Sequence, residues 1–297
     1  MFRAEVLIPL PTIATKITGL IGHPIGHSLS PLMHNTAFEL MRMDYVYLAF
    51  DVQSQNLAEA LTGLVALGIA GVNVTIPHKE SVIPHLDDLS NEAHAIGAVN
   101  TIVNDGAKLK GHNTDVYGFV ETLKSSKDAI ADQEVSVLGS GGAARAILYG
   151  LITNFRPRAV HLLNRSVERA TALREFFADS FGFQQIDVVD LYMPSANEAI
   201  SQSKLIVNAT PLGMSPKTDD SPIRTNDCFS RGQILLDLVY NPVETKLLRQ
   251  AKLRGTKTIS GIDMLLHQGA RSFEFWTNRK FPIESVRRTL RTHLSDQ

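Results

Sequence analysis

A single cysteine, Cys228, stands in 297 residues, so no disulfide can form within the chain. Cysteine usage this sparse suits a reducing compartment, and a cytoplasmic location is expected. No apolar run approaches the roughly 20 residues that a membrane-spanning helix needs. The opening stretch holds Val6-Leu7-Ile8 but is broken by Glu5, Pro9 and Pro11, so it lacks the apolar centre of a secretory signal. Residues Met1 to Lys16 are expected to form a short extension. Charge of one sign is also missing: 29 Lys and Arg offset 30 Asp and Glu, leaving a formal net charge of −1. That balance provides no basic field for nucleic acid or an anionic membrane surface. The ten histidines are scattered, without the His-Glu-x-x-His or paired spacing of a zinc site, so no metal is expected. No internal repeat, low-complexity tract or heptad array interrupts the chain.

What is present is a globular composition, 44% hydrophobic and 20% charged, long enough for about two domains. Short apolar strands at Thr18–Ile21, Tyr45–Asp51, Gly71–Thr75, Ala98–Val103 and Lys108–His112 alternate with helical patterns from Ser30 to Met43 and Leu57 to Leu67. Ser30 reads as the N-cap of the first helix, with Pro31 at its first position. Ser125-Ser126-Lys127-Asp128 reads as a link into a second unit. Further strands are expected at Leu205–Val207, Ile234–Leu236 and Thr256–Ile259, and closing helices at Ile262–Asn278 and Ile283–Leu294. Alternation of this kind gives an α/β fold with largely parallel sheets.

The most informative stretch is Gly139-Ser140-Gly141-Gly142-Ala143-Ala144. It follows the apolar strand Val135-Ser136-Val137-Leu138 and opens an Ala-rich helix from Ala143 to Ile152. A strand passing through glycines into a helix N-terminus offers bare backbone N–H groups to a pyrophosphate. The next strand, Ala159–Leu163, ends at Asn164-Arg165-Ser166, with Arg169 about one turn further on. An NAD binder usually carries Asp or Glu there for the ribose 2′-hydroxyl. A guanidinium instead pairs with a 2′-phosphate, so the expected cofactor is NADP(H). Glu168 offers either arginine a competing local partner.

Five polar clusters sit where strands end: Ser28 with Ser30, Asn73 and Thr75 running on to Lys79, Asn100-Thr101, Asn113-Thr114-Asp115, and Tyr240-Asn241. Hydroxyls, amides, one cation and one carboxylate suit a small polyhydroxylated acid. Each also has a plainer use, Asp115 as a first-turn carboxylate and Lys79 as a surface lysine on a short helix.

These strings together resemble the shikimate dehydrogenase family: Gly22-His23-Pro24-Ile25-Gly26-His27-Ser28-Leu29-Ser30-Pro31, Asn73-Val74-Thr75-Ile76-Pro77-His78-Lys79, Gly97-Ala98-Val99-Asn100-Thr101 and Gly111-His112-Asn113-Thr114-Asp115. The likeness continues through the glycine turn, Asn208-Ala209-Thr210-Pro211-Leu212-Gly213-Met214, Asp237-Leu238-Val239-Tyr240-Asn241-Pro242 and Leu266-His267-Gln268-Gly269-Ala270. It covers the chain from about Lys16 onward; the family often has Thr where Ser166 stands, which keeps the hydroxyl.

The resemblance implies NADPH-dependent, reversible reduction of 3-dehydroshikimate to shikimate, by an oxidoreductase acting on CH–OH in aromatic amino-acid biosynthesis. It implies a discontinuous substrate domain, 1–114 plus 262–297, a Rossmann-like NADP-binding domain, 115–261, and a deep cleft between them. Lys79 and Asp115 would form the catalytic pair. Ser28, Ser30, Asn73, Thr75, Asn100, Tyr240 and Gln268 would join them around the substrate. Gly139, Ser140, Gly141, Gly142, Ala143, Asn164, Arg165, Ser166, Arg169, Thr210, Met214, Val239 and Gly261 would hold the cofactor. A monomer or homodimer is implied. Two rivals stay open, a quinate/shikimate dehydrogenase of broader specificity and a non-catalytic NADP-binding sensor.

Overall fold

The computed structural model describes residues 11–26, 28–106 and 108–295. Over these the chain divides into two compact units. One comprises the chain to Ser90, Val99–His112 and the chain from Gly269; the other comprises Asn91–Ala98 and Asn113–Gln268.

The first unit holds six strands, β1 (Lys16–Gly22), β2 (Tyr45–Asp51), β3 (Gly71–Val74), β4 (Asp88–Leu89), β5 (Thr101–Asn104) and β6 (Leu109–His112). They lie in the order β2-β1-β3-β5-β6-β4, and only β5 runs antiparallel to its neighbours. The helices α1 (Ser30–Leu40) and α2 (Leu57–Ala66) connect the first three strands as right-handed crossovers require. Gly68 ends α2 in the left-handed region at φ 63°, which glycine enters without penalty. Strand β3, Gly-Val-Asn-Val, is buried throughout, as expected of a strand covered on both faces. His34 of α1 is sealed among aromatic rings, stacked on Tyr47 at 4.5 Å between centroids. Burial pushes its pKa down to about 3, so it packs as a neutral ring.

The second unit carries α3 (Asn91–Ile96), α4 (Asp115–Leu123), α5 (Lys127–Ile130), α6 (Gly142–Gly150), α7 (Val167–Phe181), α8 (Pro194–Gln202), α9 (Lys246–Leu253) and the start of α10 (Ile262–Thr277). The rest of α10 and α11 (Ile283–Ser295) belong to the first unit. Its strands are β7 (Glu134–Leu138), β8 (Ala159–Asn164), β9 (Ile186–Asp190), β10 (Leu205–Asn208), β11 (Ile234–Asp237) and β12 (Lys257–Ile259). All run parallel in the order β12-β11-β10-β7-β8-β9, which is the doubly wound dinucleotide-binding arrangement. Alternate strand residues feed two cores. Val135, Val137, Leu162, Val207 and Leu236 pack with Ile147 of α6 on one face. Leu138, Leu163, Ile206 and Leu235 pack with Leu247 and Leu248 of α9 on the other.

Four local expectations are corrected. Helix α1 starts at Ser30 itself, with Leu29 at the N-cap and no side-chain cap, because Pro31 already fills a first-turn position whose N–H needs no partner. The strand expected over Ala98–Val103 begins only at Thr101. Helix α6 ends at Gly150 and continues as a wider π turn, Leu151–Phe155, where the sequence suggested an unbroken α-helix. The stretch expected as a linker, Ser125–Asp128, folds into short helical turns of the second unit, with Ser126 and Ile130 buried.

Candidate functional site

In the second unit the glycine turn lies where β7 ends and α6 begins, next to β10, at the point where the sheet's winding reverses. Gly139 sits at φ 106°, and a Cβ there would come within 3.1 Å of the Ala209 carbonyl oxygen. A Cβ on Gly141 would instead meet nothing within 4 Å. Space is therefore open at the second glycine, where a pyrophosphate must approach the backbone. Ala144, the third position of the fingerprint, is fully buried against the core, which seats the helix on the sheet. The residues present thus fit a dinucleotide phosphate.

At the end of β8, Asn164 Nδ2 donates to the Ser166 carbonyl at 2.8 Å and shapes the turn into α7. Ser166 caps α7 by accepting from the Arg169 N–H, and its hydroxyl donates to Glu168 at 3.0 Å. Hydrogen bonds donated by its own backbone N–H and by the Ser166 hydroxyl hold the Glu168 carboxyl below its ordinary range. Arg165 and Arg169 are both exposed. Among the described residues Glu168 pairs with neither. That leaves two guanidinium groups beside a dinucleotide turn.

The loops after β10 and β11 are tied together below the turn. Asn208 Oδ1 accepts from the Thr210 N–H at 3.0 Å and the Thr210 hydroxyl at 2.7 Å. Asn208 Nδ2 donates to Asp237 at 2.8 Å. Asp237 also accepts from the Val239 N–H at 3.1 Å and the Thr245 hydroxyl at 2.6 Å. Thr210 and Val239, both sequence candidates, are thereby placed by one buried amide–carboxylate pair. Asn208 and Asp237 had no role assigned from sequence, although each is the polar residue that closes an apolar strand. Gly261 admits the start of α10, because a Cβ there would collide with the Leu238 carbonyl. Met214 is partly exposed and Tyr240 half-buried in this region.

Asp115 opens α4 and is only 5% exposed. Its N–H donates to Asn113 Oδ1 at 3.1 Å, and Asn113 Nδ2 donates to the Ala98 carbonyl at 2.9 Å. One turn later Gly118 lets α10 approach, since a Cβ there would stand 2.9 Å from the Gln268 Cβ. Asp115 and Gln268 are so brought to one helix pair.

In the first unit, Thr75 follows β3 and its N–H donates to the Ile21 carbonyl of β1 at 3.0 Å. Its methyl faces Gly22, where any side chain would clash with it. Among the described residues the Thr75 hydroxyl has no hydrogen-bond partner, nor does that of Ser30, a side chain just 6% exposed. The Ser28 hydroxyl accepts from the Ser30 N–H at 3.2 Å and donates to no described group. Three hydroxyl hydrogens thus remain to be donated at the carboxyl ends of two adjacent parallel strands. Lys79 is half-buried in the turns after β3, where the sequence suggested a short helix, and its carbonyl accepts from the Val99 N–H at 2.8 Å, next to Asn100. Asn73 spends its amide inside the unit, on Tyr47, Asn100, Thr101 and Ser272. Among the described residues no group of His, Cys, Asp or Glu could hold a metal ion, and no helix is long and apolar enough to cross a membrane.

Comparison with known proteins bears on these arrangements. Residues 20–102 match the model of the shikimate dehydrogenase substrate binding domain, and residues 261–291 that of the shikimate 5′-dehydrogenase C-terminal domain. Shikimate dehydrogenase (NADP(+)) of Moorella thermoacetica is 47% identical over 278 residues, 94% of this chain and 93% of that protein. The chain belongs to the shikimate dehydrogenase family. A crystal structure of a family member in complex with NADP+ superposes with a TM-score of 0.88 at 39% identity, covering 97% of this chain and 99% of that one. Quinate dehydrogenase from Corynebacterium glutamicum, in complex with NAD, gives a TM-score of 0.84 at 30% identity, over 94% and 99% of the two chains.

Burial pushes the Asp237 carboxyl up to about 6, against the opposing effect of three donated hydrogen bonds. A folded-state value above the unfolded one means that the native state binds the extra proton between about pH 4 and 6. This group's contribution to stability is therefore present below that window and lost as pH rises through it. Replacing Asp237 with Asn should remove that loss. The unfolding free energy of Asp237→Asn, measured by urea titration at several pH values, should change more positively from pH 4 to 6 than that of the unsubstituted protein.

Proposed function

We propose that this chain catalyses the NADPH-dependent, reversible reduction of 3-dehydroshikimate to shikimate, a step toward the aromatic amino acids. The observation that carries the reading is the trio of undonated hydroxyls, Ser28, Ser30 and Thr75, in a chain whose other unit presents an open glycine turn. Hydroxyls with hydrogens to give suit a carboxylate, and the amides of Asn100 and Gln268 suit ring hydroxyls. Asn73 supports the site from within, and we assign it to positioning, its side chain being committed to four neighbours.

Bound NADPH supplies a hydride to the ketone carbon. The chain must then meet negative charge developing on the oxygen, and we assign this to the Lys79 ammonium, which both stabilises that charge and donates the proton. Asp115 is assigned as the carboxylate of the catalytic pair. Arg165, with Arg169 and the Ser166 turn, is assigned to the 2′-phosphate of the cofactor, and Gly139 through Ala143, Thr210, Met214, Val239 and Gly261 to the rest of it. The single thiol, buried at Cys228, supports a cytoplasmic location. A monomer or homodimer follows from family likeness alone, with no membrane or nucleic-acid partner.

The direct test is the near-ultraviolet absorbance of reduced nicotinamide, followed with shikimate or quinate and with NADP+ or NAD+. The proposal expects shikimate with NADP+ to give the highest kcat/KM. A dominant quinate rate would favour the broader enzyme, and no signal with any pair would favour a binding module. Two variants test the assignments. Lys79→Ala should lower kcat by about 10²–10⁴-fold with little change in the KM for NADPH, whereas near-normal turnover would remove Lys79 from the chemistry. Arg165→Ala should raise the KM for NADPH by about 10- to 100-fold and leave NADH almost unaffected, as expected for loss of a charge-assisted pair.

A further inference from the structure

The amino ends of β1 and β2, opposite the edge that carries Ser28, Ser30 and Thr75, hold a cavity of about 370 Å³. Each of these strands is seven residues long, so the two edges stand about 20 Å apart. The cavity lies within the first unit alone. Lys16 and Tyr45 line it from the starts of the strands, Met43 and Asp44 from the turn before β2, Arg42 from the end of α1 and Arg279 from the end of α10. Among the described residues none of the three cations pairs with a carboxylate. The Lys16 side chain makes a cation–π contact, its Nζ 5.6 Å from the centroid of the Tyr45 ring. That ring stacks on Phe38 at 5.0 Å between centroids, which holds it as a wall. Asp44, the carboxylate lining the cavity, accepts from the Thr15 hydroxyl at 2.6 Å and the Thr12 hydroxyl at 3.4 Å. Three positive charges thus line one cavity with a single negative one.

Arg42 stands in the left-handed region, at φ 52°, where the Met43 N–H closes α1 by donating to the Phe38 carbonyl at 2.9 Å. Glycine enters that region without penalty and would close the helix at least as well, so helix closure does not explain an arginine there. Two guanidinium groups and an ammonium suit a doubly charged oxyanion, because a guanidinium pairs with phosphate through two parallel hydrogen bonds. Tyr45 and Met43 set an apolar surface beside those charges, and the volume is that of a small-molecule site. We propose that this cavity binds a small organic phosphate ester, its phosphate on Arg42, Arg279 and Lys16 and its organic part against Tyr45 and Met43. The site is independent of the dehydrogenase reading, which uses the other edge of the sheet.

The test is titration of phenyl phosphate and of inorganic phosphate, at constant ionic strength, into the protein saturated with NADP+. Binding is read from the backbone amide resonances of Arg42, Asp44 and Tyr45, and NADP+ keeps both probes off the dinucleotide turn. Both probes should saturate these amides, phenyl phosphate with a Kd about threefold to tenfold lower. Arg42→Gly, which relieves the left-handed residue, and Arg279→Gln should each raise the Kd for phenyl phosphate about tenfold. Arg279→Gln carries the test if Arg42→Gly does not fold. Shifts that grow without saturating, equal affinity for the two probes, or an unchanged Kd in a variant that folds would each overturn the proposal. If NADP+ itself fails to bind, the functional reading falls, and the same amides still report on the cavity without it.

Discussion

Parallel strands all end at one edge of a sheet, and there the backbone runs out of partners. Both units meet that constraint with asparagine. Asn73 in β3 and Asn208 at the end of β10 each use the side-chain amide to tie one segment to another. An amide can donate and accept at once, so a single residue can bridge a carbonyl on one segment and an N–H or hydroxyl on the next. The cost of an unmet buried amide, about 1–3 kcal/mol, makes these bridges strong constraints on where the following loops run. Those loops carry the candidate site. Chemistry at the strand ends and stability of the strand ends are therefore the same interactions viewed from two sides.

Much of this was legible in the sequence because the signals are local. The glycine turn needs a positive φ at Gly139 and open space at Gly141, and both follow from strand–glycine–helix order. The parallel sheets follow from alternating apolar strands and helices. What was not legible depends on partners far away in the chain. Nothing around Ser126 reveals that it is buried in the second unit rather than exposed in a linker. Helix α3 and strand β4 lie in a polar stretch without clear periodicity, and they form because of what packs on them. Asn73 was legible as an amide that must find a partner, but Ser272 lies 199 residues away and no spacing predicts it.

Ser30 shows how a structural use and a functional one separate. A serine before Pro31 reads as a cap, and a capping hydroxyl would already be spent. With Leu29 at the N-cap, the Ser30 hydroxyl is relieved of that duty and yet kept out of solvent. Arg165 shows the same in the second unit: the competing carboxylate of Glu168 is occupied by Ser166, so the guanidinium is not neutralised locally.

At the end of β11 a buried carboxylate, Asp237, stands in place of an amide, and the geometry gives the reason. Three donors converge on it, an amide NH2, a backbone N–H and a hydroxyl. An asparagine there would turn its own NH2 toward one of those donors. A carboxylate accepts from all three, at the cost of burying charge, and that cost is what lifts its pKa to about 6. Thr245 is the N-cap of α9 and donates to Asp237, so the same carboxylate joins the loop after β11 to a helix of the surrounding layer. A group that must stay charged to satisfy its neighbours, in a place that penalises charge, holds the chain around Val239 and Thr210 in one arrangement. That fixed arrangement is what a bound dinucleotide needs from a loop.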